Sequence, residues 1–550
     1  MDRDPGASAA FFTASQTLVR PGVAETQAVL ARELSGGDDE AARMFRQSVS
    51  LTRSIERARM QYAALSRLDD AAARANEIAA VQAQIADLEA QERTTIVGLN
   101  AYPRYRAVAS RALGEDELKT RLKPGEAYAK IAVLGQNVYV YTADKSGARA
   151  YRVDLTASEL ERTVATLRNS ISRYDGENYV TEPFNVALSR TLYQTLFAPA
   201  GERLMAARHL IFEPDGAMLK LPINLLVTDD ASVARYKASA AKADGDPYDV
   251  TMVDWLGKTR LVSTAVSARA FMDGRDLPGS NAPEAYLGMG QNARVSPAQA
   301  RVSGVRSVTS DADLGCNWPL EVWNNPISAA ELIEARGLVG AGGSDLMTGA
   351  AFSDTAVKSR TDLDRFRILH FATHGLVTPP EAGCPVRPAL LTSFGPAGQS
   401  DGLLTFAEIF ELKLDADMVI LSACDTAGEA DVQSTREAGV ATGGGTSLDG
   451  LVRAFIGAGG RAVLASHWPA PDDYDATARL ITGLFSAGAG VSTGEALLAA
   501  EQKLMADPLT SHPYYWAGFA VVGDATRPLV TNAQQAAAVA GAAALAVGSR

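Results

Sequence analysis

Two apolar runs in this chain each end on a side chain suited to acyl chemistry. Ile368-Leu369-His370-Phe371-Ala372-Thr373-His374-Gly375 delivers an imidazole, and Val419-Ile420-Leu421-Ser422-Ala423-Cys424 delivers a thiol. A thiol becomes a useful nucleophile only as the thiolate, so it needs a base within reach. An imidazole, titrating near neutrality, can take the thiol proton and later return it to a leaving amine. The backbone N–H groups of Gly375 and Cys424 are candidate donors to the oxyanion that such a reaction develops. Gly375 also lacks a Cβ, so a substrate backbone can come close. Spacing alone leaves a second reading open, in which Cys424 is a packed core thiol and His374-Gly375 an ordinary turn.

Bringing His374 and Cys424 together requires the two runs to be parallel neighbours in one sheet. From about residue 280 the chain alternates short apolar strands with amphipathic helices. Strands are expected at 285–290, 367–375, 418–424, 461–468 and 519–523, with helices near 328–336, 404–412, 447–458, 474–487 and 493–506. That rhythm predicts an α/β fold: a mostly parallel sheet covered on both faces, with reactive groups at the carboxyl ends of its strands. Upstream, 131–143 and 148–155 read as a hairpin. A Thr- or Ser-capped helix follows over 156–172, then another over 183–198. Residues 209–222 suggest a strand, a Pro-Asp-Gly turn and a second short strand. Ile78, Val81, Ile85 and Leu88 recur at steps of 3, 4 and 3 inside a helical region over 41–115, most simply an α-helical hairpin. No 34-residue repeat is evident.

The chain has 550 residues and a net charge of -12, which argues against a nucleic-acid partner. Its three cysteines, Cys316, Cys384 and Cys424, follow no metal-ligand spacing and form no disulfide scaffold, as expected of a reducing compartment. The start has no secretory pattern and no run is apolar enough to span a membrane, so a cytoplasmic location is expected.

Several ordered segments carry a family resemblance. They are LKPGEA at 122–127, FEPDGAMLKLP at 212–222, LHFATHG at 369–375 and DGLLTFAEIFELKLDADMVILSACDTAG at 401–428, followed by LDGLVRAFIGAGGRAVLASHWP at 448–469 and HPYYWAGFAVVGD at 512–524. Together these resemble the CHAT family of caspase-like cysteine peptidases, in the clan of caspases, separase and gingipains. The resemblance implies a caspase-like three-layer α/β/α fold, with an inactive half over 120–280 and an active half over 281–526. A weakly patterned segment (1–40) and the helical region (41–115) would precede it, and an Ala-rich tail (527–550) would follow. The family's catalytic dyad falls on His374 and Cys424. One departure is visible: where the family commonly has Leu before Trp-Pro, this chain has His467, next to Trp468.

Other residues are candidates for a specificity pocket or its support. His370 shares a strand face with His374 and reads as a packed, hydrogen-bonded support. Asp401, Asp425, Asp472 and Asp473 lie near expected strand ends, and His467 and Trp468 follow the strand after the cysteine. The Gly- and Ala-rich stretch 428–446 reads as a surface insertion, with Arg436 a cut point if the loop is self-processed. Gly288-Met289-Gly290 reads as a tight turn, since no dinucleotide signature continues from it. Gly457-Ala458-Gly459-Gly460 reads as a helix cap.

The expected function is therefore a cysteine endopeptidase acting on a protein substrate in bacterial signalling or defence, with no metal or organic cofactor. The helices of 41–115 could dock a regulatory protein. The alternative is a non-enzymatic caspase-like scaffold for protein contacts.

Overall fold

The computed structural model describes residues 5–16, scattered positions between 40 and 65, and 74–99. It further describes 112–174, 179–295, 320–340, 342–376, 388–395, 400–424, 445–468 and 473–530. The chain forms two compact units, one of residues 24–110 and the other of residues 1–23 with 111–550. In the smaller unit the heptad seam lies on a 25-residue helix, Ala75–Leu99, on which Val81 is buried.

The larger unit is built on a 13-stranded, mostly parallel sheet. Among the described residues fifteen strands occur in chain order. β1 is Glu126–Leu134, β2 Asn137–Asp144, β3 Gly147–Thr156, β4 Arg173–Tyr174 and β5 Tyr179–Val180. β6 is His209–Glu213, β7 Leu261–Thr264, β8 Glu284–Asn292, β9 Ser344–Gly349 and β10 Phe366–Leu376. β11 is Ala389–Leu391, β12 Leu403–Thr405, β13 Met418–Cys424, β14 Val463–Ser466 and β15 Phe519–Val522. β4 and β5 pair separately. In the main sheet β9, β8, β10, β13 and β14 run parallel in that spatial order, and β15 turns antiparallel to β14. β15 then runs parallel to β7, which continues into β6 and β1. The β15–β7 ladder thus joins strands from before residue 280 to strands from after it.

Helices cover both faces, which is why the inner strands are apolar on both sides. On one face lie α1 (Ala157–Ile171), α2 (Ala330–Val339), α3 (Ala476–Phe485) and α4 (Thr493–Met505). Leu160, Val164, Leu480 and Leu497 share one core with Phe212, Leu464 and Trp468 of the sheet and its edges. On the other, α5 (Gly445–Ala458) sets Phe455 5.1 Å from Phe371 of β10. Capping boxes at Thr156 and Ser492 start α1 and α4, each a contribution of about 1 kcal/mol.

Several local expectations change. Residues 131–143 are two strands rather than one, because the chain reverses at Gly135, whose φ of 59° a side chain would resist. The result is a three-stranded meander. After β6 the segment Gly216–Lys220 is a short 3-10 helix instead of a strand. Gly288 and Gly290 lie inside β8 rather than in a turn, and a Cβ on Gly290 would sit 2.2 Å from the Ala372 carbonyl oxygen of β10. These glycines serve close strand packing. Residues Pro5–Gln16, weakly patterned in sequence, are helical: Phe12 is fully buried and stacks on Tyr141 with ring centroids 4.5 Å apart.

Candidate functional site

β10 and β13 are parallel neighbours for seven rungs, from Ile368 opposite Met418 to His374 opposite Cys424. Met418, Val419, Ile420 and Leu421 are buried, as are Ile368 and Leu369, so hydrophobic burial sets this register. Cys424 is the last residue of its strand. Register partners on neighbouring strands lie roughly 5 Å apart and belong to the same face. Both residues therefore stand at the carboxyl edge of the sheet, in its last shared rung.

His374 is 3% exposed, and its Nε2 lies 2.5 Å from the carbonyl oxygen of Asn325. A carbonyl oxygen only accepts, so Nε2 carries the proton, and in the neutral ring Nδ1 is the basic nitrogen. Burial pulls the imidazole pKa below its usual 6.5, more strongly than the Asn325 hydrogen bond raises it. The ring is thus neutral at neutral pH, the state required of a base.

Asn325 follows a short 3-10 turn, Leu320–Asn324, anchored by Trp323. The Trp323 indole N–H donates to the Thr392 carbonyl at 2.9 Å, and its ring packs on Phe394 at 5.0 Å. Asn292 at the end of β8 donates to the Trp323 carbonyl at 2.9 Å. Trp323 shares a small core with Leu376, two residues beyond His374 on β10, and with Leu391 of β11. Thr373 also ties β10 to β11 through the Leu391 carbonyl at 2.5 Å. The carbonyl that orients His374 is therefore held from three strands. A backbone carbonyl leaves no mark in an amino-acid sequence, so neither Asn325 nor its anchor was legible there.

The other sequence candidates divide. Gly375 is buried and pairs with Leu390 of β11. His370 is fully buried on the same face as His374. Its Nδ1 lies 3.0 Å from the Tyr286 hydroxyl and its Nε2 3.4 Å from the Ser422 hydroxyl. Glu331 Oε1 on α2 stands 3.1 Å from His370 Nε2, at ion-pair distance but off the hydrogen-bonding direction. These contacts suit a support. Asp401 is exposed and caps its own turn, accepting from the Leu403 amide at 3.0 Å. Trp468 is 1% exposed, with its N–H on the Tyr514 carbonyl and Arg168 over its ring at 5.2 Å, so it is core. His467 lines a cavity beside β6, β7 and β15. Asp473 is exposed, while Asp425, Asp472, Arg436 and the stretch 428–444 lie outside the described residues.

Residues 186–524, more than half of the chain, match the CHAT domain. The chain belongs to the CHAT domain family. Tetratricopeptide repeat protein 28 of Mus musculus is 33% identical over 129 residues, 22% of this chain and 4% of that protein. Tetratricopeptide repeat protein 28 of Homo sapiens is 31% identical over 122 residues, again 22% of this chain and 4% of that protein. The chain thus matches only a small part of these relatives' length. The caspase-like α/β architecture agrees with the 13-stranded sheet. Among the described residues no helix is long and apolar enough to cross a membrane, and no cluster of side chains has the makings of a metal site.

The larger unit holds a second histidine constellation that the sequence did not suggest. Ser263 Oγ lies 2.8 Å from His209 Nε2, and His209 Nδ1 lies 3.0 Å from Glu126 Oε1. The order of groups is that of a serine-hydrolase triad. Its environment is different: Ser263 is fully buried in the middle of β7 and its oxygen accepts the Ala525 amide at 3.0 Å. Arg275 contacts Glu126 at 2.7 and 2.9 Å and Asp524 at 3.0 Å. Hydrogen bonds from His209 and Arg275 overcome desolvation and bring the Glu126 pKa down to about 2. The cluster is a buried clamp joining β1, β6 and β7 to the end of β15.

Proposed function

We propose that this chain is a cysteine endopeptidase whose nucleophile is Cys424 and whose acid–base residue is His374. The observation that supports this most is the shared last rung of β10 and β13, with the His374 ring oriented by the Asn325 carbonyl. In this reading His374 Nδ1 takes the thiol proton as the Cys424 sulfur bonds to the substrate's carbonyl carbon. The tetrahedral oxyanion is met by the Gly375 and Cys424 amides. Collapse breaks the C–N bond, and the same proton passes from His374 to the departing amine. Water, deprotonated by His374, then adds to the thioester, and collapse releases the acid product while the sulfur leaves and takes that proton back from His374. No metal or organic cofactor takes part. The substrate is a protein, cut in the cytoplasm in a bacterial signalling or defence response, and the helical region of 41–115 docks a regulator.

The burial of His374 favours a second reading, a caspase-like scaffold whose dyad positions are kept for packing. The two separate in one experiment. The purified chain and its Cys424→Ala variant are incubated with a proteome-derived peptide library, and new N-termini are read by mass spectrometry. The protease reading expects cleavage at a restricted set of sites that disappears with Cys424→Ala. Identical, uncut libraries from both proteins, with the wild-type chain folded, would leave the scaffold.

A further inference from the structure

Among the described residues only three besides glycine take a left-handed backbone: Gln291, Tyr474 and Asp475, with φ of 48°, 56° and 52°. That conformation costs a residue with a side chain about 1–3 kcal/mol, and such residues cluster at active sites and ligand clamps. All three stand at the carboxyl edge of the sheet, on either side of the dyad. Gln291 is near the end of β8, which flanks β10, and Tyr474 and Asp475 follow β14, which flanks β13. Three strand spacings separate β8 from β14, roughly 14 Å, the reach of about four extended residues.

The Tyr474 side of this edge is an aromatic shelf. Tyr474 is 53% exposed, and its ring meets that of Tyr515 edge-on with centroids 5.7 Å apart. Tyr515 meets Tyr514 in the same way at 5.2 Å. The shelf is tied to the level of the nucleophile. Leu421 of β13 is the register partner of Ala465 of β14, so three residues further on Trp468 stands level with Cys424. The Trp468 indole N–H donates to the Tyr514 carbonyl at 2.9 Å, and the His467 amide donates to the Gly518 carbonyl at 2.8 Å. Tyr514 and Tyr515 pack against the same core as Ile420, the register partner of His370, so the shelf lies on the face of His370 and His374.

Asp473 and Asp475 bracket Tyr474, and both are exposed. Asp475 stands at the N-cap of α3 without making a capping hydrogen bond, so capping does not account for it. Among the described residues neither aspartate has a salt bridge. Arg479, one turn along α3, is taken by Asp507 at 3.0 Å. Burial and the Asp473 charge push the Tyr515 hydroxyl up to about 12, so that charge reaches the shelf. A bare aromatic face accepts any apolar group. Carboxylates without a counter-ion beside it select a cation, which is drawn by the ring faces and by the charges together.

We propose, resting on the protease reading above, that this shelf is a substrate subsite for a cationic side chain. The rings of Tyr474 and Tyr515 and the carboxylates of Asp473 and Asp475 receive a lysine or arginine of an extended protein substrate. Two strand spacings, roughly 10 Å, separate β13 from β15, so that residue lies within about three positions of the scissile bond. An acidic residue at the same position would meet like charge.

Binding is tested apart from cleavage. The full chain carrying Cys424→Ala, with ring-labelled tyrosine, is titrated with the peptide Ac-Ala-Ala-Arg-Ala-Ala-NH2 and with its citrulline counterpart, and the tyrosine signals are followed by NMR. Tyr474→Phe identifies the Tyr474 signal. The arginine peptide is expected to shift Tyr474 and Tyr515 saturably and to bind at least fivefold more tightly than the citrulline peptide. Asp473→Asn with Asp475→Asn should erase that difference; Asn is at ease in a left-handed backbone, so the turn is kept. In the active chain, a positional peptide library should be cut at least tenfold faster with Lys or Arg than with norleucine or Glu at one position, and the double Asn variant should flatten that preference. The proposal is overturned if the arginine and citrulline peptides bind alike, if the difference survives the double Asn variant, or if peptides are cut with no basic preference; the last result leaves the dyad standing. Arginine-selective binding at Tyr474 in a chain that cuts no peptide would support the shelf and count against the protease reading.

Discussion

His374 and Asn325 form a fixed pair: the imidazole Nε2–H donates to a backbone carbonyl 2.5 Å away, on a turn that is itself pinned by Trp323. The pair decides which ring nitrogen carries the proton and holds the ring at one angle over the strand ends. Much of what the site can do depends on that turn staying where it is.

Replacing Trp323 should therefore affect chemistry without touching a reacting atom. Trp323→Ala removes a side chain that is 3% exposed and should destabilise the fold by roughly 3–5 kcal/mol. In the surviving folded fraction, displacing Asn325 should lower kcat for peptide cleavage roughly 10- to 100-fold with little change in KM. Trp323→Phe keeps the packing on Phe394 and loses only the Thr392 hydrogen bond, so it should recover most of both losses. Equal kcat in wild type and Trp323→Ala would show that the turn does not position His374.

Acid should act on the protein through its buried histidines, among them His374, His467 and His512. His374 works as a base only when neutral, and its pKa is depressed by burial. The acid limb of kcat/KM should then have its midpoint below pH 6.5; a midpoint above that value would contradict a desolvated His374. Stability should fall over a related window. His512 is 2% exposed, donates from Nε2 to the Glu182 carbonyl at 3.0 Å and accepts the Tyr514 amide at Nδ1. Its folded pKa is lowered to about 4 against an ordinary 6.5. The unfolded chain thus binds the proton more readily, and stability present above pH 6.5 is lost as pH falls toward 4. That contribution is about 3 kcal/mol in full. Urea midpoints measured from pH 7.5 to 4 should decline less in His512→Asn than in wild type.

Arg275 should be among the most sensitive positions outside the site. It is buried between Glu126 and Asp524, which are themselves buried, and it links β1 to the chain just after β15. Arg275→Met leaves two carboxylates without their cation and should cost roughly 3–5 kcal/mol in chemical denaturation. A loss under 1 kcal/mol would mean that the clamp does not join the two parts of the sheet.

The elements that carry the dyad were readable because their apolar runs are long and end abruptly. β10 and β13 are apolar on both faces, and each run ends at the last rung the two strands share, although β10 continues to Leu376 to pair with β11. The α4 helix, expected near 493–506 from its amphipathic pattern, spans Thr493–Met505 and is opened by the Ser492–Glu495 capping box. What failed to show in sequence was set by partners distant along the chain. β7, Leu261–Thr264, is too short to announce itself and is held by β6 and β15 on either side. Gly290 looked like a turn residue because its real constraint, the Ala372 carbonyl, lies on another strand. His209 and Ser263 lie 54 residues apart, and only the parallel register of β6 with β7 makes them neighbours. His467, which from its place after β14 reads either as a packing histidine or as a neighbour of the site, lines the cavity under α4.

The central claim is that His374 activates Cys424, and covalent trapping tests it most directly. The folded chain, with His374→Ala alongside, is treated with a library of peptides ending in an acyloxymethyl ketone, and the adduct is located by mass spectrometry. The account predicts one adduct, on Cys424, formed at least 100-fold more slowly in His374→Ala, with Cys316 and Cys384 unmodified. Labelling of Cys424 at the same rate in both proteins, or comparable labelling of all three cysteines, would contradict it.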